Sequence, residues 1–192
     1  MTALATTIAL VISLQAPDAK TLVDQKYDEI QKIVAADKTD SGVRTKVTEV
    51  LESMTDFTEF GRLTIKKHWA GLTPEQRTLF VDRYRQLIHE SYVKHFKANK
   101  ELKVTHRNPP LERKGKVLVQ TNVTSGETTA EVDYKLHRAK ADGPWRAYDI
   151  VIDEVSLMLS YRKQFGKIMK TEGFDALVKK IEEKVAAKRA ER

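Results

Sequence analysis

Between Pro144 and Phe165 the spacing of apolar residues changes from that of a strand to that of a helix. Trp145 to Ile152 are strand formers, and strict alternation puts Arg146, Tyr148, Ile150 and Ile152 on one face, with Trp145, Ala147, Asp149 and Val151 on the other. Both faces carry apolar groups, so this strand is expected to be covered on both sides. Beyond Asp153 and Glu154, the positions Leu157, Tyr161, Phe165 and Ile168 stand about a turn apart and predict a helix.

Upstream, Leu22, Val23, Tyr27, Ile30, Ile33 and Val34 recur at helical spacing and predict a first helix over residues 18–36. Ser41 is an available cap for a second helix ending at Met54. Asp56 caps a third segment, DFTEFGRLTIKKHWAG, which Gly71 closes. Thr73, Pro74 and Gln76 form the sharpest local signal: a capping residue, a proline at the first helical position and a capping-box partner at the third. The helix they open is expected to run to about Lys97, with Phe80, Tyr84, Leu87, Ile88, Ser91, Tyr92 and His95 or Phe96 in one stripe.

Four strands are expected next. The first runs from Leu102 to Arg107 and ends at Asn108-Pro109-Pro110. In the second, Val117, Val119, Thr121 and Val123 alternate with Leu118, Gln120 and Asn122; in the third, Ala130, Val132, Tyr134 and Leu136 alternate with Glu131, Asp133, Lys135 and His137. The Trp145 stretch is the fourth. A last helix starts at Gly173 and is expected to reach about Ala187, ahead of a charged tail at residues 188–192. The class is α+β: a mostly antiparallel four-stranded sheet covered by several helices, forming a single domain over residues 20–187.

The 192-residue chain has no cysteine, which excludes a disulfide scaffold, thiolate metal ligation and a cysteine nucleophile. Residues 1–19 carry an apolar run from Ile8 to Leu14 followed by Ala16 and Ala19. The run is too short to span a bilayer and resembles a secretory signal peptide with an atypical, non-basic start, so export is expected. The net charge of +7 suits an anionic partner. Nucleic acid is not expected, because acidic residues intersperse the lysines and the aromatics fall on inward stripes instead of a basic sheet face.

Chemistry is sparse. His89 and His95 stand six apart, which places them on different sides of a helix and not at metal-ligand spacing. The nucleophile elbow, the phosphate loop and the dinucleotide fingerprint are all missing from the sequence. Asp149, Asp153 and Glu154 are read as groups that bond backbone amides at a strand end and a helix start. Many aromatic residues converge on one interior, and periodicity alone leaves open whether they fill it or hold it open around an apolar ligand.

Three segments taken together resemble one family: DFTEFGRLTIKKHW at Asp56 to Trp69, LTPEQRTLF at Leu72 to Phe80, and WRAYDIVIDEVSLMLSYRKQF at Trp145 to Phe165. In order and spacing they are similar to the toluene-tolerance family, the MlaC-like periplasmic phospholipid-binding proteins of the maintenance of lipid asymmetry transport system. The similarity extends from about Leu22 to Ile181. One departure is Glu154, which stands where the family's turn carries glycine.

The resemblance implies an apolar ligand cavity between helices and sheet, holding phospholipid as cargo, with no cofactor, no metal and no catalytic residue. Carried onto this sequence, its wall is expected from Phe57, Phe60, Phe80, Tyr84, Ile88 and Tyr92, and from Tyr148, Ile150, Ile152, Val155, Tyr161 and Phe165. Arg62, Lys66 and Arg162 are candidates to meet phosphate at the mouth. The implied setting is periplasmic, with a monomer passing lipid between an inner-membrane ABC transporter bearing an MCE-domain subunit and an outer-membrane lipoprotein complex. The alternative is a ligand-free protein-interaction module of the same fold.

Overall fold

The computed structural model describes residues 18–191, so the apolar run read as part of a leader lies outside the described residues. Helix α1 (Ala19–Ala36) opens where the Asp18 carboxylate accepts the Thr21 amide at 2.8 Å, and it buries Val23, Tyr27, Ile30 and Val34 on one stripe. Helix α2 (Asp40–Met54) is capped by Thr39, two residues ahead of the expected Ser41: the Thr39 hydroxyl accepts the Gly42 amide at 3.0 Å. Helix α3 (Phe57–Thr64) starts at its expected cap, Asp56. The predicted third segment is not one helix. Ile65, with φ −108° and ψ 34°, leaves helical geometry and turns its side chain into the core, so α4 (Lys66–Trp69) is a separate turn.

Helix α5 (Pro74–Tyr92) has the predicted capping box, with the Gln76 amide donating to Thr73 Oγ1 at 3.2 Å and the Thr73 amide to Gln76 Oε1 at 3.0 Å. It stops short of Lys97 because a 3-10 turn (Val93–His95) intervenes and Phe96 is extended. After the sheet come α6 (Leu157–Thr171) and α7 (Phe174–Ala190), the latter continuing past Ala187. Arg189 of α7 pairs with Glu90 at 2.9 Å.

The sheet has six strands among the described residues, not four: β1 (Leu102–His106), β2 (Leu111–Arg113), β3 (Lys116–Ser125), β4 (Thr128–His137), β5 (Arg146–Ile152) and β6 (Val155–Ser156). All pairings are antiparallel, in the order β1, β3, β4, β5, β6, with β2 also on β3. The two additions are three and two residues long, too short to show alternation in a sequence.

A bulge corrects the expected facing of β5. Pairing with β4 shifts between Lys135 and Leu136, so that Asp149 opposes Lys135 while Ala147 opposes Leu136, and Tyr148 is the extra residue. Ala147 therefore shares a face with Ile150 and Ile152, which pair with Tyr134 and Val132. Tyr148 points the other way, edge-on to His137 with ring centroids 5.5 Å apart and beneath the Lys116 ammonium at 4.4 Å. The far face of β5 is covered at Asp149, which is fully buried. Its carboxylate accepts from Ser156 Oγ at 2.7 Å, Lys135 Nζ at 2.9 Å and the Met158 amide at 3.1 Å, tying strand to helix α6.

The helices form two groups over the sheet. Helices α3 to α7 enclose a core of Phe60, Phe80, Tyr84, Leu87, Phe165 and Leu177. Helix α1 packs on β3, β4 and β5 through Val23, Tyr27, Val119, Tyr134, Leu136 and Ala147. A third cluster joins α1 and α2 to Leu102 through Ile30, Val34, Val43 and Val47.

Candidate ligand cavity

The three apolar clusters leave a space between them. This cavity of about 670 Å³ is bordered by residues of all three: Phe60, Ile88 and Leu157 from the first, Tyr27, Met54 and Tyr134 from the second, Ile30 and Leu102 from the third. Its floor is the inner sheet face, with Val123, Ala130, Val132, Ile150 and Ile152. A volume of this size is within the range of small-molecule sites, roughly 300 to 1,000 Å³.

Of the twelve residues expected at the wall, Phe57, Phe60, Ile88, Tyr92, Ile150 and Ile152 border the cavity. The other six do not. Phe80, Tyr84, Tyr161 and Phe165 fill the helical core, with Tyr84 at its centre: its ring lies 5.6 Å from Phe80, 5.2 Å from Tyr161 and 5.5 Å from Phe165. Tyr148 was carried to the opposite face by the bulge, and Val155 on the edge strand is 55% exposed. The stripe on α5 is thus split: its first turns are buried against helices and its last turn reaches the cavity.

Most of the wall went unnamed in the sequence. Tyr27, Ile30, Leu51 and Met54 come from α1 and α2, whose stripes read as ordinary packing; Val132 and Tyr134 were legible as the apolar face of their strand. Tyr27 and Tyr134 place two hydroxyls in this apolar setting and satisfy them mutually at 2.6 Å. Burial pushes the Tyr27 phenol up to about 12 and raises Tyr134 well above the ordinary value, so both stay neutral. His89 also borders the cavity, edge-on to Phe57 at 5.3 Å. Burial holds its imidazole below the ordinary 6.5, against the opposing pull of Glu52, whose carboxylate is 3.6 Å from Nδ1.

The opening is marked by bordering residues that are also exposed: His95, Lys97, Lys100, Thr128 and Asp153. Lys26 and Lys94 stand beside them, half-buried. None of the basic residues first considered for the mouth is there. Arg62 is held by Glu59 at 2.6 and 2.7 Å, Arg162 donates to the Leu63 carbonyl at 3.0 and 2.7 Å, and Lys66 lies in α4. Among the described residues, no group of three or more His, Asp or Glu side chains is placed to hold a metal ion, and no helix is long and apolar enough to cross a membrane.

An antiparallel sheet and two groups of helices around an apolar space define an α+β domain with an internal apolar cavity. A family model described as MlaC protein matches residues 24–183. The chain belongs to the MlaC family, as its three motifs indicated. Its relative in Haemophilus influenzae, the intermembrane phospholipid transport system binding protein MlaC, is 22% identical over 187 residues, covering 95% of this chain and 84% of that protein. The fold matches a solved structure of a phospholipid-binding protein from Ralstonia solanacearum in complex with a phospholipid. The TM-score is 0.80 at 22% identity, over 90% of this chain and 99% of that one.

Proposed function

We propose that this protein is a periplasmic phospholipid carrier and not an enzyme. It holds acyl chains in the cavity and passes lipid between an inner-membrane ABC transporter with an MCE-domain subunit and an outer-membrane lipoprotein complex. The observation that carries this reading is the 670 Å³ space left between three apolar clusters. Unfilled apolar volume is costly, about 24 cal/mol per Å³ in core-truncation series, so a site of this kind favours an apolar occupant. A ligand-free interaction module would have reason to close it. The phospholipid named for the Ralstonia structure and the transport role named for the Haemophilus relative support the same occupant.

The energetics suit a carrier. Each methylene withdrawn from water contributes about 0.8 kcal/mol, so two long chains are held by roughly 20 kcal/mol against escape into water. Exchange with a bilayer or a docked partner replaces one apolar surrounding by another, and the net free energy is close to zero. Lipid therefore leaves only through contact. The test is native mass spectrometry of protein recovered from the periplasm, where bound phospholipid is expected. Delipidated protein that takes up no lipid from vesicles would overturn the carrier reading.

A further inference from the structure

The charged residues bordering the cavity are one-sided. Apart from two histidines they are Lys26, Lys94, Lys97 and Lys100, against the single carboxylate of Asp153. That carboxylate is engaged, accepting the Glu131 amide at 2.9 Å. Lys26 is paired with Glu29 at 2.9 Å and Lys94 lies 3.5 Å from Glu191, whereas Lys97 and Lys100 make no ion pair among the described residues. Their segment is not a loose loop. The Ala98 amide donates to Asp40 Oδ1 at 2.9 Å, the Asn99 amide donates to the Val34 carbonyl at 3.0 Å, and Phe96 and Ala98 pack into the cluster of α1 and α2. The backbone that carries two lysines without an ion pair is thereby held beside the opening of an apolar site.

We propose that this rim makes the cavity selective for lipids whose headgroup carries net negative charge, with Lys97 and Lys100 as the specificity-determining residues; the inference rests on the carrier reading above. All phospholipids share a phosphodiester that a lysine can meet as a point charge. A zwitterionic headgroup adds an amine that the two lysine ammonium groups repel, and an anionic headgroup does not. One unit charge at contact distance in water changes the equilibrium about fivefold, and salt screens it within about 3 Å at 1 M.

The experiment offers delipidated protein vesicles that contain phosphatidylglycerol and phosphatidylethanolamine in equal amounts with matched acyl chains. Because every vesicle carries both lipids, attraction of the basic protein to the membrane does not bias the choice. Mass spectrometry of extracted, protein-bound lipid is expected to show about fivefold enrichment of phosphatidylglycerol, reduced toward parity in 1 M salt. Lys97→Glu with Lys100→Glu should abolish the enrichment, and Lys100→Gln should halve it or more. The charge-matched pair Lys163→Glu with Lys179→Glu, away from the cavity, should retain it.

Lipid bound in vesicle proportion by the wild type overturns the selectivity and leaves the carrier reading standing. So does a rim variant that slows uptake without changing the composition of what is bound, since the lysines would then serve docking. If the double variant fails to fold, the salt titration of the wild type and Lys100→Gln still decide. Uptake of neither lipid overturns the carrier reading itself.

Discussion

Glu154 sits with φ 65° and follows Asp153 at φ 46°, in the two-residue connection between β5 and β6. Positive φ at both central positions is the hairpin geometry that favours glycine at the second, and a side chain there costs about 1 kcal/mol. Glu154→Gly is therefore expected to stabilise the fold by about that amount, read as a higher urea midpoint at unchanged slope. Asp153 is different, because its carboxylate holds the Glu131 amide and its own amide donates to the Glu131 carbonyl at 2.9 Å. Asp149→Ala would leave Lys135, Ser156 Oγ and the Met158 amide without their shared acceptor, at a cost of about 3 kcal/mol or more. His89 supplies a pH dependence. Its folded pKa lies below 6.5, so under mild acid the unfolded chain takes up a proton that the folded chain resists. Stability conferred by the neutral ring is present above 6.5 and is lost as pH falls below it. Melting curves between pH 7 and pH 5 should drop less for His89→Gln than for the wild type.

Helix α5 shows how one stripe serves two ends. Phe80 and Tyr84 are fully buried in the helical core, while Ile88 and Tyr92 of the last turns border the cavity. The two ends should respond differently to substitution. Phe80→Ala is expected to cost about 3 to 5 kcal/mol of stability by leaving a void. Tyr92→Ala, at a half-buried wall position, should change lipid uptake with a smaller effect on stability; equal losses of stability for the two variants would contradict this division. Periodicity could not show it, because a 3.6-residue stripe reports that a face is buried and not what lies against it. The bulge in β5 escaped for a related reason. Strict alternation is a backbone rule for a regular strand, and the extra residue at Tyr148 is fixed by pairing with β4.

The cavity belongs to the whole molecule, since it exists where three clusters fail to merge. Filling it from the sheet side should leave the fold intact and remove the space. Ala130→Trp is expected to lower lipid uptake at least tenfold while the unfolding free energy stays within about 1 kcal/mol of the wild type, because the ring enters apolar space already formed. Conversely, a bound lipid that the unfolded chain does not bind should raise stability, by about 2.7 kcal/mol at a hundredfold excess over Kd. Delipidated protein should accordingly melt lower than the loaded form.

The helices, their caps at Asp56 and Thr73, and the dry face of β3 and β4 were readable from the chain because each depends on residues within a few positions of one another. The three motifs likewise carried the family. What the chain did not reveal depends on pairs far apart in it. Tyr27 meets Tyr134 across 107 positions, and the Ala98 amide meets Asp40 across 58, fixing the cavity wall and the lysine rim. Whether an aromatic fills a core or faces an open space is set by the volume that packed elements leave between them. No local spacing encodes that volume.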